Sequence, residues 1–341
     1  MRIAVTGSCG MLGAAVVRQA VARDHEIVAI DRAFSARGRK LWGDAPSPHE
    51  RIADMTDSDA LTAAVADADA VIHTASLVDL HLGRPQVLHD TNVTGVENLV
   101  AACRHGNVDR LIHMSSAEVI TGTTPLRDLS EADASYPARQ LTYYGETKRA
   151  GEEIALASAD ATLGTCAFRT YGIFGEGDNN VVRIYRSKLA RNTAVMIGDA
   201  SARTDVVYAG NLAHALVLAA EQLEPGVPWS GTVFHATDHE TVNVQRFLAE
   251  LTEPLGVRVI ERVRLPKALA ATAAKAGELL YQRTGSERLA YPQLTSHSLR
   301  LATEDYSLDS TKLRETLAYD PPFSRQESIR RTQEWLLASG E

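Results

Sequence analysis

With 341 residues, 45% of them hydrophobic and 23% charged, the chain is long enough for a large α/β unit with its own core. A net charge of −8, with both signs mixed along the sequence, argues against a nucleic-acid partner, which needs concentrated positive charge. Cys9, Cys103 and Cys166 have no metal-ligand spacing, and the histidines form no ligand cluster. No apolar run approaches the roughly 20 residues of a membrane span, and a strand pattern begins at Arg2. The expectation is a cytoplasmic protein with free thiols, no metal, no transmembrane segment and no targeting segment.

In chain order, β-rich runs alternate with helical patterns, which implies a parallel sheet covered by helices. The runs at 2–6, 26–30, 51–53, 70–73, 110–114 and 163–169 read as strands. Those at 12–23, 58–66, 89–105 and 143–158 have helical spacing. Two further strand-like runs, 205–208 and 232–236, flank a helix at 211–222 and are expected to return to the same sheet. The fold class is therefore a Rossmann-type, doubly wound parallel sheet with a smaller, discontinuous C-terminal substrate lobe. Residues 1–171, joined by 205–238, form the dinucleotide-binding part; 172–204 and 239–341 form the lobe. The alanine-rich stretch 268–276, with Lys267, Lys275 and Glu278 in and around it, reads as a solvated amphipathic helix in preference to a weak membrane-surface contact.

The first strand runs into Gly7-Ser8-Cys9-Gly10-Met11-Leu12-Gly13, a strand–turn–helix with three regularly spaced glycines. Gly7 permits the tight turn, Gly10 lets the backbone approach a pyrophosphate, and Gly13 lets helix and strand pack closely. The helix start then offers free N–H groups of Cys9 to Gly13 to the phosphates. Asp31 ends the second strand, where a carboxylate binds ribose hydroxyls and repels a 2′-phosphate, favouring NAD. Arg32 follows, with further basic residues nearby, so NADP stays open. Asp54 and Met55 close the third strand and are placed to flank the adenine. Thr74, Ala75 and Ser76 end the fourth with small side chains that leave room for the cofactor's middle.

Tyr144-Gly145-Glu146-Thr147-Lys148 sets a tyrosine and a lysine on one helix face. A nearby ammonium favours the phenolate, so Tyr144 is expected to shift toward neutrality and exchange a proton with a substrate alcohol or ketone. Ser116, at the carboxyl end of the fifth strand, is placed to hold the reacting oxygen.

These residues resemble the extended short-chain dehydrogenase/reductase superfamily over essentially the whole chain, and most closely the 3β-hydroxysteroid dehydrogenase family within it. The similar segments are His73-Thr74-Ala75-Ser76, Asn92-Val93-Thr94-Gly95, Ser115-Ser116-Ala117-Glu118-Val119, Tyr171-Gly172-Ile173-Phe174-Gly175 and Leu317-Ala318-Tyr319-Asp320-Pro321. The resemblance implies Ser116, Tyr144 and Lys148 as catalytic residues, Asn92 and Tyr171 in the cofactor site, and a homodimer through helix faces at 97–104 and 143–155. It implies a small hydrophobic alcohol or ketone, a 3β-hydroxysteroid or sterol-like molecule, as substrate. Thr170 replaces the family's usual proline after Arg169, and the region after Pro266 is less apolar than the family's membrane-associated segment. Sugar-nucleotide dehydratases of the superfamily carry an Asp-Glu pair after the serine position; here Ala117 stands first, so that activity is not expected. The alternatives are an NADPH-dependent reductase of long-chain 2-alkyl-3-oxo acids, a sugar-nucleotide epimerase and a non-catalytic dinucleotide sensor. Candidate pocket walls lie at 76–82, 121–129 and 174–185.

Overall fold

A computed structural model of the chain describes residues 1–43, 48–78, 85–178, 193–199, 201–238, 240–256, 258–284 and 294–338. Parts of the candidate pocket walls, 79–82 and 179–185, lie outside the described residues. The first half runs β1 (Arg2–Thr6), α1 (Met11–Val21), β2 (Glu26–Asp31), α2 (Ala36–Lys40), β3 (His49–Ile52), α3 (Ser58–Val65), β4 (Ala70–His73), α4 (Pro85–His89), α5 (Gly95–His105), β5 (Arg110–Met114), β6 (Leu126–Leu129), α6 (Tyr143–Ala157) and β7 (Gly164–Arg169). The second half continues with β8 (Ile173–Phe174), β9 (Thr193–Ile197), β10 (Thr204–Asp205), β11 (Val207–Tyr208), α7 (Ala209–Gln222), β12 (Thr232–His235), β13 (Thr241–Val242), α8 (Val244–Thr252), β14 (Arg258–Leu265), α9 (Lys267–Thr284), α10 (Ser296–Thr303), β15 (Tyr306–Leu308), α11 (Thr311–Leu317) and α12 (Arg325–Ala338).

Seven strands form one sheet in the order β12-β7-β5-β4-β1-β2-β3, every pairing parallel. Strand alternation divides the core between the two faces. Ile3, Val5, Ile27 and Ala29 point toward α1 and α7, joining Ala14, Val17, Leu212 and Leu216. Ala4, Val28 and Ile30 point the other way, toward Leu61 and Val65 of α3 and Leu99 and Cys103 of α5. The order reverses between β1 and β4, and the carboxyl ends of strands at such a switch point open a crevice for a ligand.

The run 205–208 does not return to this sheet. β10 instead joins a four-stranded sheet, β13-β10-β15-β6, and β11 pairs with β8. The physical reason lies in Asp205. Its buried carboxylate accepts the Leu308 N–H at 2.6 Å, a contact that an apolar central strand has no means to supply. β12 does reach the main sheet, with Thr232 opposite Cys166 and His235 opposite Arg169. β6 joins the sheet of the C-terminal lobe, where Tyr306 and Leu308 of β15 pair with it. Among the described residues no helix is long and apolar enough to cross a membrane.

Candidate active site

The glycine turn is tight by construction. Gly7 has φ +69°, and a Cβ there would meet the Ala75 backbone at 2.8 Å. A Cβ on Gly13 would lie 2.1 Å from the Gly7 oxygen, so α1 and the turn approach as only glycine allows. Gly10 caps α1 without a side-chain hydrogen bond, leaving the first-turn N–H groups, including those of Met11 and Leu12, to an external acceptor. Asp31 steadies the turn from β2, its carboxylate accepting the Cys9 N–H at 3.0 Å. That bond uses one oxygen, Oδ2. The bare cradle, the uncapped helix start and this carboxylate together fit the pyrophosphate and ribose of a dinucleotide. Beside them, burial and the Asp31 charge push the Cys9 thiol up to about 11.

Other expected cofactor residues have explicit structural duties. The Thr74 hydroxyl donates to the Thr6 carbonyl at 2.7 Å, tying the end of β4 to β1. Asp54 accepts from the Thr56 N–H and hydroxyl, which hold its carboxyl below the usual range, aided by the charge of exposed Arg32. Met55 is buried against Gly95 at the start of α5. Asn92 lies in a π-helical turn, Asp90–Thr94, just before α5. Its amide oxygen accepts from the Ser76 hydroxyl and the Leu77 N–H, and its amide nitrogen donates to the Leu77 carbonyl and to Thr147. Asn92 thus fastens the end of β4 to α6. The Tyr171 hydroxyl contacts Thr121 at 2.8 Å, and its ring packs against Tyr306.

Ser116, Ser76 and Tyr144 do come together. Thr142 caps α6 by accepting the Gly145 N–H, which fixes the turn carrying Tyr144. Gly145 lets that turn sit close to the Glu118 carbonyl. The half-buried Ser116 caps a short 3-10 helix, Ala117–Ile120, by accepting the Glu118 N–H. The Ser116 and Ser76 side chains stand near the Tyr144 hydroxyl and favour its phenolate.

Lys148, one turn on, is buried and donates to the Met114 carbonyl at 2.6 Å; burial lowers its ammonium to about 8. The expected shift of Tyr144 toward neutrality is not what this geometry produces. Burial, reinforced by the Glu118 charge, holds the phenol above its ordinary value, against the opposing effect of the two serines. The lysine's hydrogen bond goes to the sheet end.

Two groups escaped sequence reasoning. Glu152 is fully buried on α6 and binds Arg169 through two hydrogen bonds, at 2.5 and 2.9 Å, while accepting the Tyr136 hydroxyl at 2.7 Å. His297 of α10 lies with Nε2 3.3 Å from the Glu118 carboxylate, both side chains 9% exposed. The Arg169 segment and Glu118 were visible as sequence; their partners, on other elements, were not.

A family model for the 3-beta hydroxysteroid dehydrogenase/isomerase family matches residues 4–267. A 3 beta-hydroxysteroid dehydrogenase/Delta 5→4-isomerase of Mycobacterium tuberculosis is 31% identical over 338 residues, covering 96% of this chain and 88% of the relative. A 2-alkyl-3-oxoalkanoate reductase of Stenotrophomonas maltophilia is 29% identical over 334 residues, covering 97% and 98%. In fold, the chain is similar to a Thermus thermophilus UDP-glucose 4-epimerase solved with NAD, with a TM-score of 0.72 at 21% identity, covering 99% of this chain and all of the other. On the family match, which spans most of the sequence and includes the glycine turn, Ser116, Tyr144 and Lys148, the chain belongs to the 3-beta hydroxysteroid dehydrogenase/isomerase family of oxidoreductases.

Proposed function

We propose that this chain is an NAD-dependent dehydrogenase of a hydrophobic secondary alcohol, a 3β-hydroxysteroid or sterol-like molecule, acting through Ser116, Tyr144 and Lys148. The observation that carries the reading is the meeting of Tyr144, Ser116 and Ser76 at the sheet's carboxyl end, beside the glycine cradle. The family match and the mycobacterial relative support the substrate class. The seven-stranded sheet with α7 and β12 is assigned to the cofactor, and the sheet β13-β10-β15-β6 with the segments after β13 to the substrate.

Asp31 presents a carboxylate where a 2′-phosphate would be repelled, which favours NAD. When bound, NAD would supply the acceptor for the hydride of the carbinol carbon. Ser116 holds the substrate oxygen by a hydrogen bond, and Tyr144 takes the hydroxyl proton. In that role Tyr144 must enter the reaction as phenolate, which burial and Glu118 oppose. Lys148, carried one turn further on the same helix and bonded to the Met114 carbonyl, is the cation this reading assigns to the reacting state. In the reverse direction Tyr144 already carries the proton that a ketone oxygen needs.

That last feature favours one second reading, reduction of a 2-alkyl-3-oxo acid, which the Stenotrophomonas relative also supports. Parallel assays of 3β-hydroxysteroids with NAD and of 2-alkyl-3-oxo acids with NADPH separate the two. NADH formation with the steroids is the expected result; turnover confined to the oxo acids with NADPH would replace the first reading with the second.

A further inference from the structure

A second carboxylate, Glu50, borders the adenosine end of the cradle beside Asp31, and hydride transfer leaves it without a task. Glu50 lies on β3 opposite Ala29, and Asp31 stands two residues further along β2. Both side chains therefore leave the same face of the sheet, the face that α1 covers. The short helix α2 is pressed against the turn on that side. A Cβ on Gly38 would lie 2.7 Å from the Cys9 Sγ, and Ser35 caps the helix by accepting the Gly38 N–H. Arg39 is the next residue, and the charges of Asp31, Glu50 and Arg39 all bear on the Cys9 thiol.

The Arg39 guanidinium is engaged on every side. Its Nε and Nη2 donate to the two Glu50 oxygens, each at 2.6 Å, and its Nη1 donates to the Phe34 carbonyl at 3.0 Å. It also lies over the Phe34 ring, 5.6 Å from the centroid. The hydrogen bonds to Glu50 hold the guanidinium above its ordinary value, and they hold the Glu50 carboxyl below the usual range. The side chains are 47% and 31% exposed, and exposed ion pairs contribute little to folding. The same two-pronged fork is what a guanidinium offers to a phosphate. Other basic residues after β2 are directed elsewhere: Arg37 lies over the Trp335 ring of α12, at 5.8 Å, and the Arg32 charge bears on Asp54 beyond β3.

We propose that Glu50 is a determinant of cofactor choice, which enforces NAD by occupying the Arg39 fork and so withholding that guanidinium from a 2′-phosphate. The inference rests on the reading of Asp31 as the ribose-binding carboxylate. NADP differs from NAD by a phosphate on the 2′-oxygen, which brings between one and two negative charges. At this end of the cradle that group meets the Asp31 carboxylate and a cation already neutralised by Glu50. Asp31 rejects the phosphate by direct repulsion; Glu50 rejects it by removing the compensation. NAD brings only hydroxyls, which donate to the Asp31 oxygen not used by the Cys9 N–H, so its binding does not involve Glu50. With the Glu50 charge gone, Arg39 keeps its Phe34 contacts and turns its fork toward the phosphate.

The test is fluorescence titration of NADH and NADPH at one low salt concentration, which needs no turnover. The parent should bind NADH more tightly than NADPH. Glu50→Gln should tighten NADPH about tenfold, the scale of one charge-assisted hydrogen bond, and leave NADH within about twofold. Arg39→Gln, which exposes the Glu50 charge to the phosphate, should weaken NADPH further. The double variant should return to the parent's ratio, because the gain needs Arg39. Adenosine 2′,5′-bisphosphate, as a competitor, should follow NADPH across these variants, and adenosine 5′-monophosphate should follow NADH. An unchanged NADPH-to-NADH ratio in Glu50→Gln overturns the proposal, as does a gain that persists in the double variant or a parent that prefers NADPH. Failure of the parent to bind either dinucleotide would remove the cofactor reading itself and the proposal with it.

Discussion

The two ends of the crevice are built from different materials. At the glycine turn the site is main chain: Gly7, Gly10 and Gly13 act by having no side chain, Thr74 ties strand to strand, and Asp31 steadies one N–H. Around Tyr144 the site is buried charge: Lys148 on the Met114 carbonyl, Glu152 with Arg169 and Tyr136, and Glu118 facing His297. A main-chain cradle depends on excluded volume, so its failures are steric. A buried-charge cluster depends on every charge keeping its partner, so its failures are electrostatic and larger. The contrast separates a region that holds a ligand from a region that adjusts proton affinities.

The largest expected effect tests the charged end. Glu152→Gln strands the Arg169 guanidinium, only 7% exposed, without its counter-charge. Denaturant unfolding should show a loss of about 3–5 kcal/mol, the range for breaking a buried pair; a loss below 1 kcal/mol would place the cluster with ordinary surface pairs.

Acid should act on the charged end as well. Burial, followed by the Lys148 charge, holds His73 neutral down to about 3, and the same causes keep His113, whose ring lies 5.2 Å away, well below its ordinary value. Both pKa values are lower in the folded state than in the unfolded one, so the unfolded chain binds more protons between about pH 6.5 and 3. Stability from these groups is complete above pH 6.5 and falls as pH drops through that window. His113→Phe should flatten the stability–pH profile there; an unaltered slope would remove the histidines from the account.

A smaller, steric effect belongs to the cradle. Gly13→Ala places a Cβ where the Gly7 oxygen already stands, and should cost about 1–3 kcal/mol, as overpacking does. It should also weaken NADH binding, seen by fluorescence titration. Normal binding and stability would show that the turn relaxes freely and that the comparison drawn above is too sharp.

The parallel sheet was legible because its strands alternate with helices at regular spacing, and four to six residues are enough to show a pattern. The two-residue pairings of β8, β10, β11 and β13 carry no period to read. The run 205–208 misled for that reason: valines and a tyrosine suggested a central strand, while Asp205 was already committed to the Leu308 N–H. The glycine turn and the Tyr144–Lys148 pair were legible because both are local motifs. Asn92 was found by resemblance, but its tie between Ser76, Leu77 and Thr147 depends on a π-helical turn that sequence spacing does not reveal. His297 was invisible because its meaning lies wholly in Glu118, which belongs to a distant part of the chain. The expected effect of Lys148 on Tyr144 followed from helical spacing alone, and spacing cannot say where an ammonium finds its hydrogen bond.

The central claim is that Tyr144 moves the substrate proton while the cradle independently holds the dinucleotide. It is tested most directly by Tyr144→Phe, with NADH binding and 3β-hydroxysteroid oxidation measured on the same preparation. The account predicts binding within about twofold of the parent and kcat lower by about a thousandfold, within the range for a lost general acid–base group. Turnover at the parent's rate, with binding equally intact, would contradict it.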